Sequence, residues 1–505
     1  MPQAVPASKQ TFSGDLIGQV EQIRREASAG VDQETRSELG QVFTPPPVSA
    51  LMASMFRQQR ETVRLLDAGA GSGSLSAAVV ASLLEKEDRP ESISVTAFEF
   101  DPALVPYLDR SLSLCASACV EAGVRFESQV LNEDFLAAVA SGSAPDNFNC
   151  AVLNPPYRKI RTNSDARRYA RELGIEVSNL YAAFVGASVL LLEPHAEIVA
   201  ITPRSFANGP YFRAFRRFLL DRVALMRIHL FDSRRHAFQG DDVLQENVIV
   251  CAECNGAAPP DTVEITASET PDDPVRSRFV PFGRVVYSGD PEQFIHLIVD
   301  EKGDSIAETM AALDNYLSDL EIEVSTGPVV DFRIEDCLRK SIESGSVPLL
   351  YPGHLKKGAV VWPRPNVKAN ALALTDESWS QTVERGNYVL VKRFTSKEEK
   401  RRVVAAICED AGTERVAFEN HLNFFHKDRK GLSRALTLGL AAYLNSSLVD
   451  AYFRQFSGHT QVNAADLRNM PYPSRDHLES AGEQIDALPQ DQQAIDALVE
   501  RFLLR

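Results

Sequence analysis

Three strand-like segments in the first third of the chain each lead towards a carboxylate. Residues 63–66 run into Asp67, 94–98 into Glu99, and 124–130 towards Asp134. Amphipathic segments separate the runs, and this alternation predicts an α/β fold with parallel strands wrapped by helices. In such a sheet every strand ends at the same edge, which is where ligands bind. Three acids gathered there are hard to explain as solubility alone. Further strands are expected at 150–153, 197–201, 226–231 and 247–251.

The first acid opens a loop, Asp67-Ala68-Gly69-Ala70-Gly71-Ser72-Gly73-Ser74. Gly69, Gly71 and Gly73 permit positive φ and let a ligand approach the backbone closely. The pattern is GxGxG after an acid, not the dinucleotide fingerprint GxGxxG. Glu99 sits where an acid accepts hydrogen bonds from ribose hydroxyls. Asp134 is placed to accept an adenine amino group, with Phe135 lining the ring.

The run 150–153 ends in Asn154-Pro155-Pro156-Tyr157. Two prolines cannot continue a central strand and they stiffen the backbone. The tetrapeptide therefore offers an amide, carbonyls of fixed direction and an aromatic face. These suit a planar group bearing an NH2.

At 505 residues and 44% apolar the chain is long enough for at least two domains. Its seven scattered cysteines fit a reducing cytoplasm. Cys251-Ala252-Glu253-Cys254 reads as buried thiols continuing a strand, because no second pair or histidine accompanies it. His195, His229 and His236 lack metal-ligand spacing, and Asp241, Asp242 and Glu246 lack a nuclease-like pattern. No metal is expected. The start lacks a signal-peptide core, and no run approaches a membrane span. A formal charge of −16 argues mildly against nucleic-acid binding. Base is nevertheless clustered at 158–171, 204–235, 392–402 and 427–434, and two of these clusters flank the expected active face.

In this order, the glycine loop, Glu99, Asp134-Phe135 and NPPY resemble the motifs of S-adenosylmethionine-dependent amino-methyltransferases. Upstream, Leu39-Gly40-Gln41-Val42-Phe43-Thr44-Pro45-Pro46 is similar to the G-x-x-x-T-P motif of DNA adenine-N6 methyltransferases. The group concerned is TaqI-like and gamma-ordered (Eco57I/PstI-type), from restriction–modification systems. The resemblance implies a Rossmann-like catalytic domain binding S-adenosylmethionine, with Thr44 over the methionine part of the cofactor. It also implies a C-terminal α+β target-recognition domain. The expected organisation is a helical lead-in at 1–38, a catalytic domain at 39–255, a linker at 256–273 and a recognition domain at 274–505 ending in a helix.

The implied reaction acts on an adenine flipped out of double-stranded DNA. Asn154 and the Pro155 carbonyl accept the amino protons, Tyr157 stacks on the base, and Phe212, favoured over Phe206, faces it. Arg158, Lys159 and Arg161 are candidate phosphate contacts. Lys356, Lys357, Arg393, His459, Gln461 and Asn463 are candidate base contacts, with chemistry suited to purine edges. A monomer is expected, partnered by a separately encoded endonuclease acting on the same site. Rival readings are an RNA adenine or protein-glutamine N-methyltransferase and, in another class, a non-catalytic DNA-binding specificity module. N4-cytosine chemistry usually goes with Ser in place of Asn154, and C5-cytosine chemistry needs a Pro-Cys nucleophile that is absent.

Overall fold

All six residues of Phe148–Leu153 are buried, as a strand covered on both faces requires. In the computed structural model this strand lies inside a nine-stranded sheet. The structure describes residues 12–30, 40, 43–231, 247–254, 260–299, 301–395, 399–409, 413–456 and 461–504. His236, Asp241, Asp242, Glu246, His459 and part of the 39–44 motif (Leu39, Gln41 and Val42) lie outside the described residues.

The sheet strands are β1 (Thr62–Ala68), β2 (Ser92–Phe98), β3 (Arg125–Leu131), β4 (Phe148–Leu153), β5 (Leu192–Pro203), β6 (Val223–Phe231), β7 (Asn247–Cys254), β8 (Thr262–Ser268) and β9 (Arg276–Pro281). Their order is β3-β2-β1-β4-β5-β7-β6-β8-β9. The first five in that order are mutually parallel, whereas β7 runs antiparallel to both β5 and β6. This is the expected Rossmann-like α/β architecture with an antiparallel insertion. Cys251 and Cys254 are buried on β7.

Register places the strand ends. Asp67 pairs with Ala97 of β2 and with Val152 of β4. Two residues further on, Gly69, Glu99 and Asn154 stand level at one edge. Phe98 pairs with Leu131, which brings Asp134 to the same edge. The helix Ser74–Glu85 covers this half of the sheet, and its Val79 and Val80 join a core with Leu65, Val95 and Val152.

Two boundaries differ from the sequence expectation. The lead-in is not separate: Leu16, Val20, Ile23 and Ala27 form one buried stripe of the helix Phe12–Gly30, and Leu16 and Val20 join the same core. The linker placed at 256–273 contains β8, and 274–281 contains β9, so both belong to the first unit. Alternation hid β8, because Val263, Ile265 and Ala267 are buried between polar residues. Two of those polar residues face inward for a reason. Thr266 Oγ1 and Ser268 Oγ lie 3.0 and 3.2 Å from the ring nitrogens of buried His229, whose pKa burial lowers to about 4.

The chain divides into two units. The first runs to Gly289 and includes Gln293–Ile295, and the second comprises Asp290–Glu292 and His296–Arg505. The second unit is mixed α+β, with a six-stranded and a five-stranded sheet followed by helices that include the C-terminal Gln492–Leu503. Within it, the helices Arg434–Leu444 and Arg475–Glu483 cross through reciprocal glycines. A Cβ on Gly439 would lie 1.9 Å from the Leu478 carbonyl oxygen, and one on Gly482 would lie 1.8 Å from that of Ala435. Gly482→Val should therefore destabilise this unit by about 3 kcal/mol, roughly a 10 °C fall in its melting temperature. An unchanged thermal unfolding curve would contradict the crossing.

Candidate active site

Backbone and side chain cooperate to shape the glycine loop. Gly69, Gly71 and Gly73 all have positive φ, of 84°, 58° and 84°. Gly69 N–H and Ala70 N–H donate to the Phe98 carbonyl, which bends the loop back over β2. A side chain at Gly73 would meet Leu108 and Ser111 at 3.0 Å, so helix packing also demands glycine there.

Glu99 ties this loop to the next strand. Its Oε2 accepts from Gly71 N–H at 2.7 Å and its Oε1 from Asp101 N–H at 2.8 Å. Glu99 is only 4% exposed. Burial pushes its pKa up to about 7, against the two backbone donors, with the Asp101 and Asp67 charges adding to the rise. Asp67 is fully buried and accepts from Ser76 Oγ at 2.6 Å. Burial raises its pKa to about 6 against that bond, and its Oδ1 has no hydrogen-bond partner among the described residues. Asp134 caps the helix Phe135–Ser141 by accepting from Ala137 N–H at 3.0 Å. That bond uses one carboxylate oxygen and leaves the other for a ligand.

Thr44, 6% exposed, stands behind the NPPY segment. Asn154 Nδ2 donates to Thr44 Oγ1 at 2.9 Å, which fixes the amide and defines its carbonyl end as the acceptor. Tyr157 N–H donates to the Gly40 carbonyl at 3.3 Å and its hydroxyl to the Ile201 carbonyl at 3.3 Å. The residues following the motif pair with 178–180 through Ile160 N–H to the Ser178 carbonyl and Leu180 N–H to the Arg158 carbonyl. Arg158, Lys159 and Arg161 are exposed along this ribbon.

A cleft of about 200 Å³ gathers Gly69, Gly71, Glu99, Asp134, Phe135, Asn154, Pro156 and Arg158. Asp67, Gly73, Thr44 and Pro155 stand behind its walls rather than on them. Phe43, Phe100, Leu104 and Phe184 also line it, and sequence reasoning passed over all four. Phe43 and Phe100 adjoin residues that were singled out, so adjacency was the available signal. Phe184 lies on the apolar helix Leu180–Leu190, where nothing in the sequence separates a lining ring from a core ring. Its ring packs on Phe135 with centroids 5.2 Å apart, and Phe135 meets Phe98 edge-on at 5.0 Å.

Phe212 has a different setting from the expected facing pair. It is 5% exposed, tilted against Tyr181 at 5.6 Å, and Tyr181 meets Tyr157 edge-on at 6.3 Å. Tyr181, also missed, links the two rings. Phe206 packs on Phe215 in the core. Among the candidate base contacts, Asn463 forms a capping box on the helix Ala464–Arg468, and Lys356 lies in a short hairpin strand. Lys357 has a φ of 48° in the hairpin turn, where its carbonyl accepts from Gln490. Arg393 and Gln461 are brought close together, Phe394 pairing with Gln461.

The residues present fit an adenosyl cofactor. Positive-φ glycines give close backbone approach, Glu99 offers carboxylate lone pairs at the next strand end, and Phe43, Phe100, Phe135 and Phe184 give the cleft an aromatic lining. Hydroxyl donors from a bound ribose would favour the ionised form of Glu99. Binding should accordingly strengthen as pH rises through 7, by about tenfold between pH 6 and pH 8. The same raised pKa makes the ligand-free fold lose stability as pH rises from the ordinary carboxylate range towards 7. Calorimetric titration with S-adenosylmethionine across this range checks the first effect, and Glu99→Gln should flatten it. A pH-independent affinity in the wild-type protein would contradict the assignment.

Residues 118–238 match the Eco57I restriction-modification methylase family. The chain is 41% identical over 492 residues to the type II methyltransferase M.PstI of Providencia stuartii, covering 96% of each chain. It is 42% identical over 487 residues to the type II methyltransferase M.BsuBI of Bacillus subtilis, covering 93% of this chain and 95% of that one. With this likeness extending over nearly the whole of each relative, the protein belongs to the family of type II restriction–modification methyltransferases, enzymes whose methyl donor is S-adenosylmethionine.

Proposed function

We propose that the protein is a site-specific DNA adenine-N6 methyltransferase that protects DNA in a type II restriction–modification system. The observation that carries this reading is the Asn154 amide, oriented by Thr44 inside the cleft that also holds the glycine loop, Glu99 and Asp134. The nitrogen of an adenine amino group is a poor nucleophile because its lone pair is delocalised into the ring. Hydrogen bonds donated by its two N–H groups to Asn154 Oδ1 and the Pro155 carbonyl would turn the lone pair out of the ring plane, and the nitrogen sheds one of those protons to solvent once it carries the methyl. S-adenosylmethionine supplies an electrophilic methyl when bound. The chain's part is positioning and preorganised acceptance, with no reorganisation needed at the moment of transfer.

Gly69, Gly71, Glu99, Asp134 and Phe135 would hold the cofactor, with Asp67 and Gly73 shaping the loop. Reaching the cleft requires the base to leave the duplex, at a cost of a few kcal/mol. Tyr157 offers the flipped base a ring already aligned by its Ile201 and Tyr181 contacts. Phe212 would face the base from the far side only if its ring moved off Tyr181. Arg158, Lys159 and Arg161 stand beside the motif where phosphates of the extruded strand would pass. The second unit would supply target recognition, and an endonuclease cutting the same site would be the functional partner.

Methylation-sensitive sequencing of DNA from cells expressing the protein tests this reading. One short motif carrying N6-methyladenine at every occurrence is expected, and DNA free of modified adenine would reject it. Asn154→Ala should bind S-adenosylmethionine within about twofold of wild type while methyl transfer falls by at least about 100-fold. Turnover retained in that variant would remove Asn154 from the acceptor role.

A further inference from the structure

In the second unit, three segments far apart in sequence lock together where the strand Tyr388–Lys392 ends. Arg393 N–H donates to the His421 carbonyl at 2.9 Å, and Val462 N–H donates to the Arg393 carbonyl at 2.7 Å. Asn423 Nδ2 donates to the Val462 carbonyl at 2.7 Å and fastens the third segment to the second. The backbone at 393–394, 419–423 and 461–463 is thereby fixed, and it presents four side chains together.

Phe394 is 44% exposed and packs on the His421 ring at a centroid distance of 4.9 Å. The Arg393 guanidinium lies 5.8 Å from the Phe394 centroid and donates one bond, to the Asn420 carbonyl at 3.2 Å. His421 is held by Glu419, whose Oε1 lies 2.5 Å from Nδ1 and whose Oε2 accepts from the His421 N–H at 3.0 Å. Glu419 itself is fully buried. Burying a carboxylate is costly unless it is well paired, and here it anchors a ring whose side chain is 51% exposed. Nε2 of His421, the remaining guanidinium nitrogens of Arg393 and the amide of Gln461 have no partner among the described residues.

We infer that Arg393, His421 and Gln461, braced by Phe394, form a patch that reads base edges in the major groove of duplex DNA. The inference rests on duplex DNA being the substrate and names the residues that choose the sequence. Chemistry separates base edges from phosphate as the ligand. The Gln461 amide offers a donor beside an acceptor, the complement of adenine N7 and N6, whereas phosphate oxygens only accept. The guanidinium suits guanine O6 and N7. The exposed Phe394 ring adds an apolar surface, which phosphate would not use and a thymine methyl would.

The test uses the full-length protein, the wild-type motif found by mapping, and duplexes carrying every single base-pair substitution of it. Gln461→Ala and Arg393→Ala should each keep S-adenosylmethionine affinity within about twofold. Each should lose about 10- to 100-fold in kcat/KM on the cognate duplex, and each should lose discrimination at one base pair. Gln461→Glu should shift preference at its pair towards cytosine, whose amino group donates to a carboxylate. If wild type methylates one motif and all three variants keep every discrimination ratio, the patch is wrong while the enzyme assignment stands. A uniform loss on all duplexes with ratios unchanged also rejects it. If the wild-type enzyme methylates no duplex, the functional reading fails first and the patch falls with it.

Discussion

Parallel pairing of β1, β2, β3 and β4 is the constraint from which the rest of the first unit follows. Parallel strands end on one side of a sheet, and each needs a crossover connection to return. The register that pairs Asp67 with both Ala97 and Val152 brings Gly69, Glu99 and Asn154 level without any long-range side-chain contact. The remaining task is local. Gly71 N–H on Glu99 closes the loop, Asp134 caps its helix, and Thr44 turns the Asn154 amide. A slip of one residue between β1 and β4 would send Asn154 to the wrong face. Site geometry and sheet stability are thus set by the same hydrogen bonds.

Concentrating buried carboxylates at that edge has an energetic cost. Asp67 and Glu99 both resist ionisation, because burial penalises their charged forms more than Ser76 and the backbone donors favour them. A ligand bringing hydroxyl donors into the cleft would relieve that penalty at Glu99, which lines it. Asp67, behind the cleft wall, keeps one oxygen without a hydrogen-bond partner among the described residues.

Strands β1 to β7 of the nine-stranded sheet were legible because most of them are short, β-rich and punctuated by glycine or proline. The residues of the cleft were legible where a turn followed a strand directly, as at Gly69, Glu99 and Asn154. Legibility failed for physical reasons in three places. β8 alternates polar and apolar residues, and two of its polar side chains are buried because they serve His229, a partner far away in sequence. Phe184 and Tyr181 lie on a helix that is apolar all round, so periodicity gives them no special face. Phe212 was placed opposite Tyr157 by motif, but local packing draws its ring onto Tyr181. Arg393 and Gln461 were legible as candidates by their chemistry, whereas their meeting with His421, 28 and 40 residues from them in sequence, follows from tertiary structure.

What the whole account depends on is the atom that receives the methyl group. The purified protein, given S-adenosylmethionine labelled in its methyl group and duplex DNA containing the mapped motif, can be followed by mass spectrometry of the digested nucleosides. All label should appear in N6-methyldeoxyadenosine. Label in a methylated cytosine, or in the protein instead of the DNA, would contradict it.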